Sequence, residues 1–203
     1  MKLSDWLNPV YGANPGEAVR THVHTAPFRH AVFPNFFRAD VVHEIARRAE
    51  SILTSPGTMN DGIARRAAVE WGPYLDKEVL RFFCGKEFRE FMTEVLGDTF
   101  VLRRNWLPQL AHFHAGSQGY DIHNDTDEPR DGVLLMNLTQ GYPEGGGGEL
   151  CLYDSAKNLV RSIEPRINTL VMFRVSEVSW HSIADMRGEW VRRNVLLDWD
   201  LAK

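Results

Sequence analysis

In the stretch YDIHND, His123 and Asp125 stand two residues apart, and on an extended strand that spacing turns both side chains toward one face of the sheet. An imidazole beside a carboxylate makes two thirds of the facial triad that holds Fe(II) and leaves coordination positions open for substrate and dioxygen. Alone the pair is weak, because 8 histidines and 27 acidic residues in 203 make about one His-x-acid pair expected by chance. A solvated strand end or a hydrogen-bonded histidine accounts for it at least as well. A third ligand must come from a distant strand, and His181, in the strand-like stretch EVSWHSI, is placed to supply it.

A second chemical signal follows in WVRRNVLLDW. Alternation puts Val191, Arg193, Val195, Leu197 and Trp199 on one face and Arg192, Asn194 and Asp198 on the other, with Leu196 the exception. Arg193 is therefore expected on the apolar side. A buried, unpaired charge is costly, so it needs an anion opposite it. Either a protein carboxylate or a carboxylate ligand gripped in bidentate fashion satisfies that need.

The elements that must position these residues fall into two halves. From Asp40, a plausible N-cap, Val41, Val42, Ile45, Ala49, Ile52 and Leu53 recur at helical spacing, and TSPGTMNDG at 54–62 ends the run with turn chemistry. A second helical region from near Asp76 carries Val79, Leu80, Phe83, Phe88, Phe91, Met92, Val95 and Leu96, with a break near Gly85 and a stop at Gly97. From Thr99 the period changes to two, and about nine short strands follow, punctuated by Gly, Pro, Asn and Asp. Strands after helices predict a mainly β fold with flanking helices (α+β), a jelly roll or cupin-like double-stranded β-helix. We expect a single domain over 1–203, with an N-terminal arm at 1–27, helical support at 28–98 and the jelly-roll core at 99–203. The arm either covers the barrel mouth or is a mobile tail.

Composition narrows the function. Hydrophobic residues at 43% and charged residues at 25% suit a folded globular chain, and a net charge of -4 leaves no electrostatic footprint for DNA or RNA. Two cysteines, Cys84 and Cys151, cannot build a multi-bridge scaffold or a four-thiolate zinc site. The N-terminal MKLSDWLNPVYGANPG has no apolar core of signal-peptide length, and no segment is apolar enough to span a membrane. A cytoplasmic protein with no nucleic-acid or membrane partner is expected.

HxD at 123–125, GGEL at 147–150, the run PRINTLVMF, then His181 and Arg193 six residues before Trp199, resemble the iron(II) and 2-oxoglutarate dependent dioxygenases. The likeness is to the prolyl-4-hydroxylase-like branch and its relatives that modify ribosomal protein prolines, and it covers about Leu110 to Trp199. The resemblance implies that His123, Asp125 and His181 ligate iron and that Arg193 binds the distal carboxylate of 2-oxoglutarate. Tyr120 stands where the family often has a tyrosine three residues before the first metal histidine, and is expected to help hold that carboxylate. The upstream Tyr-x-x-Gly pattern departs here to FHAG at 113–116. Related halogenases carry a small residue at the carboxylate position, so Asp125 implies hydroxylation. The implied reaction consumes dioxygen and 2-oxoglutarate, releases succinate and carbon dioxide, and hydroxylates a C–H bond of an amino acid, a peptide-like metabolite or a protein side chain.

Other signals carry less. His112 and His114 share a strand face without an acidic or thiol partner at ligand spacing, and GGGG at 145–148 lacks the ending of a phosphate loop. Arg65, Arg66, Arg103 and Arg104 read first as solvated charge, and Trp71 and Trp106 as core. Trp180 is expected to wall the pocket, and Asp127, Glu128 and Arg130 lie in a loop suited to substrate contacts, with Arg130 the foremost specificity candidate. Two competing readings stay open: a non-catalytic cupin-like metal- or ligand-binding module, and a metal-dependent hydrolase or isomerase on the same barrel. Of the three, the dioxygenase alone needs a carboxylate clamp beside the metal.

Overall fold

The structure, a computed structural model, describes residues 5–13, 15–53, 59–60, 64–68, 82–102, 109–113 and 115–202. Helices α1 (Pro9–Ala13) and α2 (Pro15–His22) lead to β1 (Val23–His24) and β2 (His30–Phe33). Next come α3 (Ala39–Leu53), β3 (Met59–Asn60), β4 (Ala64–Ala68) and α4 (Lys86–Leu96). The remainder is strand: β5 (Phe100–Leu102), β6 (Gln109–Phe113), β7 (Tyr120–His123), β8 (Gly132–Asn137), β9 (Leu150–Tyr153), β10 (Leu159–Ile163), β11 (Thr169–Arg174), β12 (His181–Ile183) and β13 (Arg192–Leu201).

The helices form where apolar residues recur every three or four positions. On α3 that spacing buries Val42, Ile45, Ala46 and Ala49, and on α4 it buries Phe88, Phe91, Met92, Val95 and Leu96. Gly97 ends α4 with φ 83, the left-handed conformation that a residue without Cβ adopts at least cost, and its N–H bonds the Thr93 carbonyl. The expected start of this helix at residues 76–81 lies outside the described residues.

The strands build two sheets. The larger runs β1-β2-β11-β8-β13-β6-β4-β3, with β5 also on β13; the smaller runs β10-β9-β12-β7. This is the expected double-stranded β-helix. Its central strands are buried on both faces, and their alternation feeds two cores. Leu134, Met136, Leu170, Met172, Val195, Leu197 and Trp199 join the phenylalanines of the helical layer, including Phe33, Phe36 and Phe88. Val133, Leu135, Val171 and Phe173 turn the other way and meet Leu150, Leu152 and Ile163 of the smaller sheet. Each large apolar side chain so buried contributes roughly 1.5–3 kcal/mol.

Two organisational expectations are corrected. The 28–98 region is not helical support alone, since β2 pairs with β11 and β4 with β6, so part of the larger sheet comes from before residue 99. The N-terminal arm neither caps the mouth nor trails free in its described part. Leu7 and Tyr11 are buried in the helix-side core, because an apolar residue on α1 and one just before it meet the phenylalanine cluster there.

Candidate metal and anion site

The site opens between the two sheets, in a cavity of about 540 Å³. Strands β7 and β12 pair antiparallel with His123 directly opposite His181, which brings two imidazoles from distant sequence to ring centroids 4.3 Å apart. Asp125 follows β7 in the left-handed conformation, φ 63, and is 3% exposed. One ligand atom from each of His123, Asp125 and His181 lies within 4.8 Å of the others. The Nε2 atoms of His123 and His181 are each 3.4 Å from an Asp125 carboxylate oxygen. Adjacent ligand atoms around an octahedral ion with bonds of about 2.1 Å stand about 3 Å apart, so a small inward adjustment closes this set on one cation.

The protonation pattern suits that use. Nδ1 of His123 lies 2.7 Å from the Asp121 carbonyl and Nδ1 of His181 lies 2.8 Å from the Ser179 carbonyl. A carbonyl only accepts, so Nδ1–H donates in both rings and each Nε2 lone pair is directed to the site. Burial raises the Asp125 carboxyl, but its neighbours, among them the Arg130 guanidinium at 2.7 Å, outweigh it and hold it at about 2. The donor set of two neutral imidazoles and one carboxylate therefore fits a divalent iron.

The same cavity contains a buried guanidinium, and it belongs to Arg192 and not to Arg193. Arg193 is off the cavity, ion-paired through Nη2 to Glu50 of α3 at 3.0 Å. Arg192 lines the cavity with Asn194 and Leu196. The alternation along β13 is as read, but the apolar face of this strand packs on the helices and the polar face looks into the barrel. Arg192 is 1% exposed, donates from Nη1 to the Asn194 side chain, and lies with its guanidinium carbon 4.9 Å from the Phe113 ring centroid. Among the described residues its Nε and Nη2 have no hydrogen-bond partner. Burial pulls it down to about 10, still charged at neutral pH. The sequence signal for Arg192 was present: three polar residues on one face of a strand too apolar elsewhere to lie in water.

The remaining expectations divide. Tyr120 lines the cavity, edge-on to Phe113, and Asp127 stands at its rim. Trp180 does not line it, because its neighbour His181 points inward and alternation turns Trp180 outward, under the Lys157 ammonium at 4.0 Å. Arg130 is on the cavity wall with its two ends taken by Asp125 (2.7 Å) and Asp198 (3.0 Å), so it is not a free anion grip for substrate. The side chains of His112, His114, Arg65, Arg66, Arg103, Arg104, Trp71 and Trp106 lie outside the described residues, as does the 54–58 stretch.

Two histidines and an aspartate converge at the open end of the jelly roll beside a buried arginine, a donor set suited to a mononuclear non-haem iron. Residues 108–199, a little under half of the chain, match the 2OG-Fe(II) oxygenase superfamily, a family whose cosubstrates are 2-oxoglutarate and dioxygen. The chain is similar to prolyl 3-hydroxylase OGFOD1 of Mus musculus, 24% identical over 180 residues, which cover 85% of this chain and 32% of that protein. Among solved structures, a Trichoplax adhaerens prolyl hydroxylase in complex with a hypoxia inducible factor peptide fragment superposes with TM-score 0.69, 17% identity and coverage of 92% and 89% of the two chains. A Pseudomonas putida prolyl-4-hydroxylase gives 0.64, 17%, 92% and 98%. The chain spans about a third of the length of the curated relatives it matches.

Proposed function

We propose that this chain is an Fe(II)- and 2-oxoglutarate-dependent hydroxylase in which His123, Asp125 and His181 hold the iron. Arg192, with Tyr120 on the same wall, takes the distal carboxylate of 2-oxoglutarate, the task that the sequence pattern assigned to Arg193. When bound, iron and cosubstrate supply the oxidation: one oxygen atom of O2 enters the substrate as hydroxyl and the other enters succinate as carbon dioxide leaves. The observation that carries the reading is a three-ligand cluster sharing its cavity with a buried arginine whose Nε and Nη2 lack partners among the described residues.

The protein's own part is positioning. The carbonyls of Asp121 and Ser179 orient the two imidazoles, and Arg130 keeps Asp125 an ionised ligand. Nε and Nη2 of Arg192 donate in parallel to a carboxylate, replacing the hydration that the guanidinium lost on burial. Val133, Leu135, Leu150, Phe173 and Leu196 wall the cavity and exclude water from the reacting centre. The substrate is a peptidyl side chain or a small peptide-like molecule. All three of the named proteins are prolyl hydroxylases, which makes a prolyl peptide the first candidate to screen by stimulated succinate release. Free thiols at Cys84 and Cys151 support a reducing, cytoplasmic location.

Anaerobic addition of Fe(II) and 2-oxoglutarate is expected to produce a weak visible charge-transfer band that His123→Ala and Asp125→Ala each abolish. Wild-type protein that shows no band and forms no succinate in air overturns the hydroxylase reading. Arg192→Ala is expected to raise the half-saturating 2-oxoglutarate concentration at least about 10-fold with little change in metal affinity. Arg193→Ala is expected to change it less than about 2-fold, and the reverse order would return the clamp to Arg193.

A further inference from the structure

We propose that Asp198 is a positioning residue for the iron ligand Asp125, acting through Arg130. The inference rests on the iron-site reading above. Asp198 sits on the inner face of β13, 2% exposed, opposite Val133 of β8. A carboxylate there has no reason to exist in a packing layer and is costly unless it is paired. Its partner is Nη1 of Arg130 at 3.0 Å, while Nη2 of the same guanidinium reaches Asp125 Oδ1 at 2.7 Å. The connecting loop folds back to allow this: the Glu128 N–H bonds the Asp125 carbonyl, and the Arg130 N–H bonds the Glu128 carbonyl.

The arrangement decides two things about Asp125. The first is geometry. A guanidinium facing a lone carboxylate takes both of its oxygens in a fork, which would draw Asp125 away from the histidines. With Nη1 committed to Asp198, Arg130 offers Asp125 one N–H, and Oδ2 stays turned to His181 Nε2 at 3.4 Å. The second is charge. One guanidinium shared by two carboxylates leaves a net negative charge in the cluster, where a one-to-one pair would cancel the ligand's attraction for a dication. Asp125 also holds a left-handed backbone at φ 63, a conformation that persists only where its surroundings enforce it.

Co(II) titration, followed by calorimetry and by its visible absorption, tests this on the full chain without turnover. Asp198→Asn is expected to weaken Co(II) binding by about 10- to 100-fold with the near-ultraviolet circular dichroism retained. In an Arg130→Gln background the same change is expected to shift affinity less than about 2-fold, since the route to Asp125 is already cut. Equal affinity of Asp198→Asn and wild type, or equal losses in both backgrounds, overturns the inference. If Asp198→Asn does not fold, Arg130→Lys serves instead: it keeps the charge but cannot reach both carboxylates in the fork geometry. It is expected to weaken Co(II) about 10-fold, and unchanged affinity overturns the inference. Failure of wild type to bind Co(II) at all removes the iron-site reading itself, and the positioning role falls with it.

Discussion

Arg192 and His30 show how differently this fold treats two buried cationic side chains. Arg192 stays charged with two donors unsatisfied among the described residues, an arrangement that lowers stability and is explicable by an anion that completes it. His30, 0% exposed, is instead kept neutral. Its Nδ1–H donates to the Phe28 carbonyl, its Nε2 accepts from Arg161 at 3.1 Å, and burial, against that backbone hydrogen bond and with help from Arg161, lowers it from 6.5 to about 4. Between those two values the unfolded chain takes up a proton that the folded chain refuses. The stability His30 contributes is therefore complete above about pH 6.5 and is lost as pH falls toward 4. Urea unfolding from pH 7 to pH 4.5 is expected to show a falling midpoint that is shallower in His30→Gln; parallel curves would mean that other groups govern the acid limb.

At the scale of the element, β13 carries two tasks on its two faces. Leu197, 1% exposed, belongs to the helix-side core, and Leu197→Ala is expected to cost about 2–5 kcal/mol of stability in urea unfolding while leaving Co(II) and 2-oxoglutarate affinity as in wild type. Coupled loss of binding would show that the two faces are not separable. The same strand explains what was legible beforehand. Periodicity revealed nearly every strand of the second half, both helical faces and the stop at Gly97, because those follow from local spacing and turn chemistry. The convergence of His123, Asp125 and His181 was legible from residue type and the family resemblance; strand parity does not place Asp125, which follows β7 in a left-handed conformation. The side of β13 that forms the barrel interior was not, since alternation reports that two faces differ and not which of them meets the helices. Local spacing was equally silent on β2 and β4, whose membership of the larger sheet depends on pairing with strands far away in sequence, and on β3, which joins the sheet through β4. The Arg130 brace was also out of reach, being a contact between a loop residue and a strand residue 68 positions on.

Across the whole molecule, the larger sheet is sandwiched between the helical layer and the smaller sheet, and among the described residues no helix is long and apolar enough to cross a membrane. The phenylalanine-rich layer stiffens one side of the barrel, which leaves the opposite, polar mouth for chemistry. The two imidazoles meet through the cross-strand partnership of His123 with His181, and Arg192, the proposed clamp, arrives on the last strand. A chain released half-made, or opened by heat at the smaller sheet, has no high-affinity seat for the ion. On the proposed function, metal capture thus marks the completion of folding, since a chain whose smaller sheet has not closed cannot hold iron and cosubstrate in one cavity.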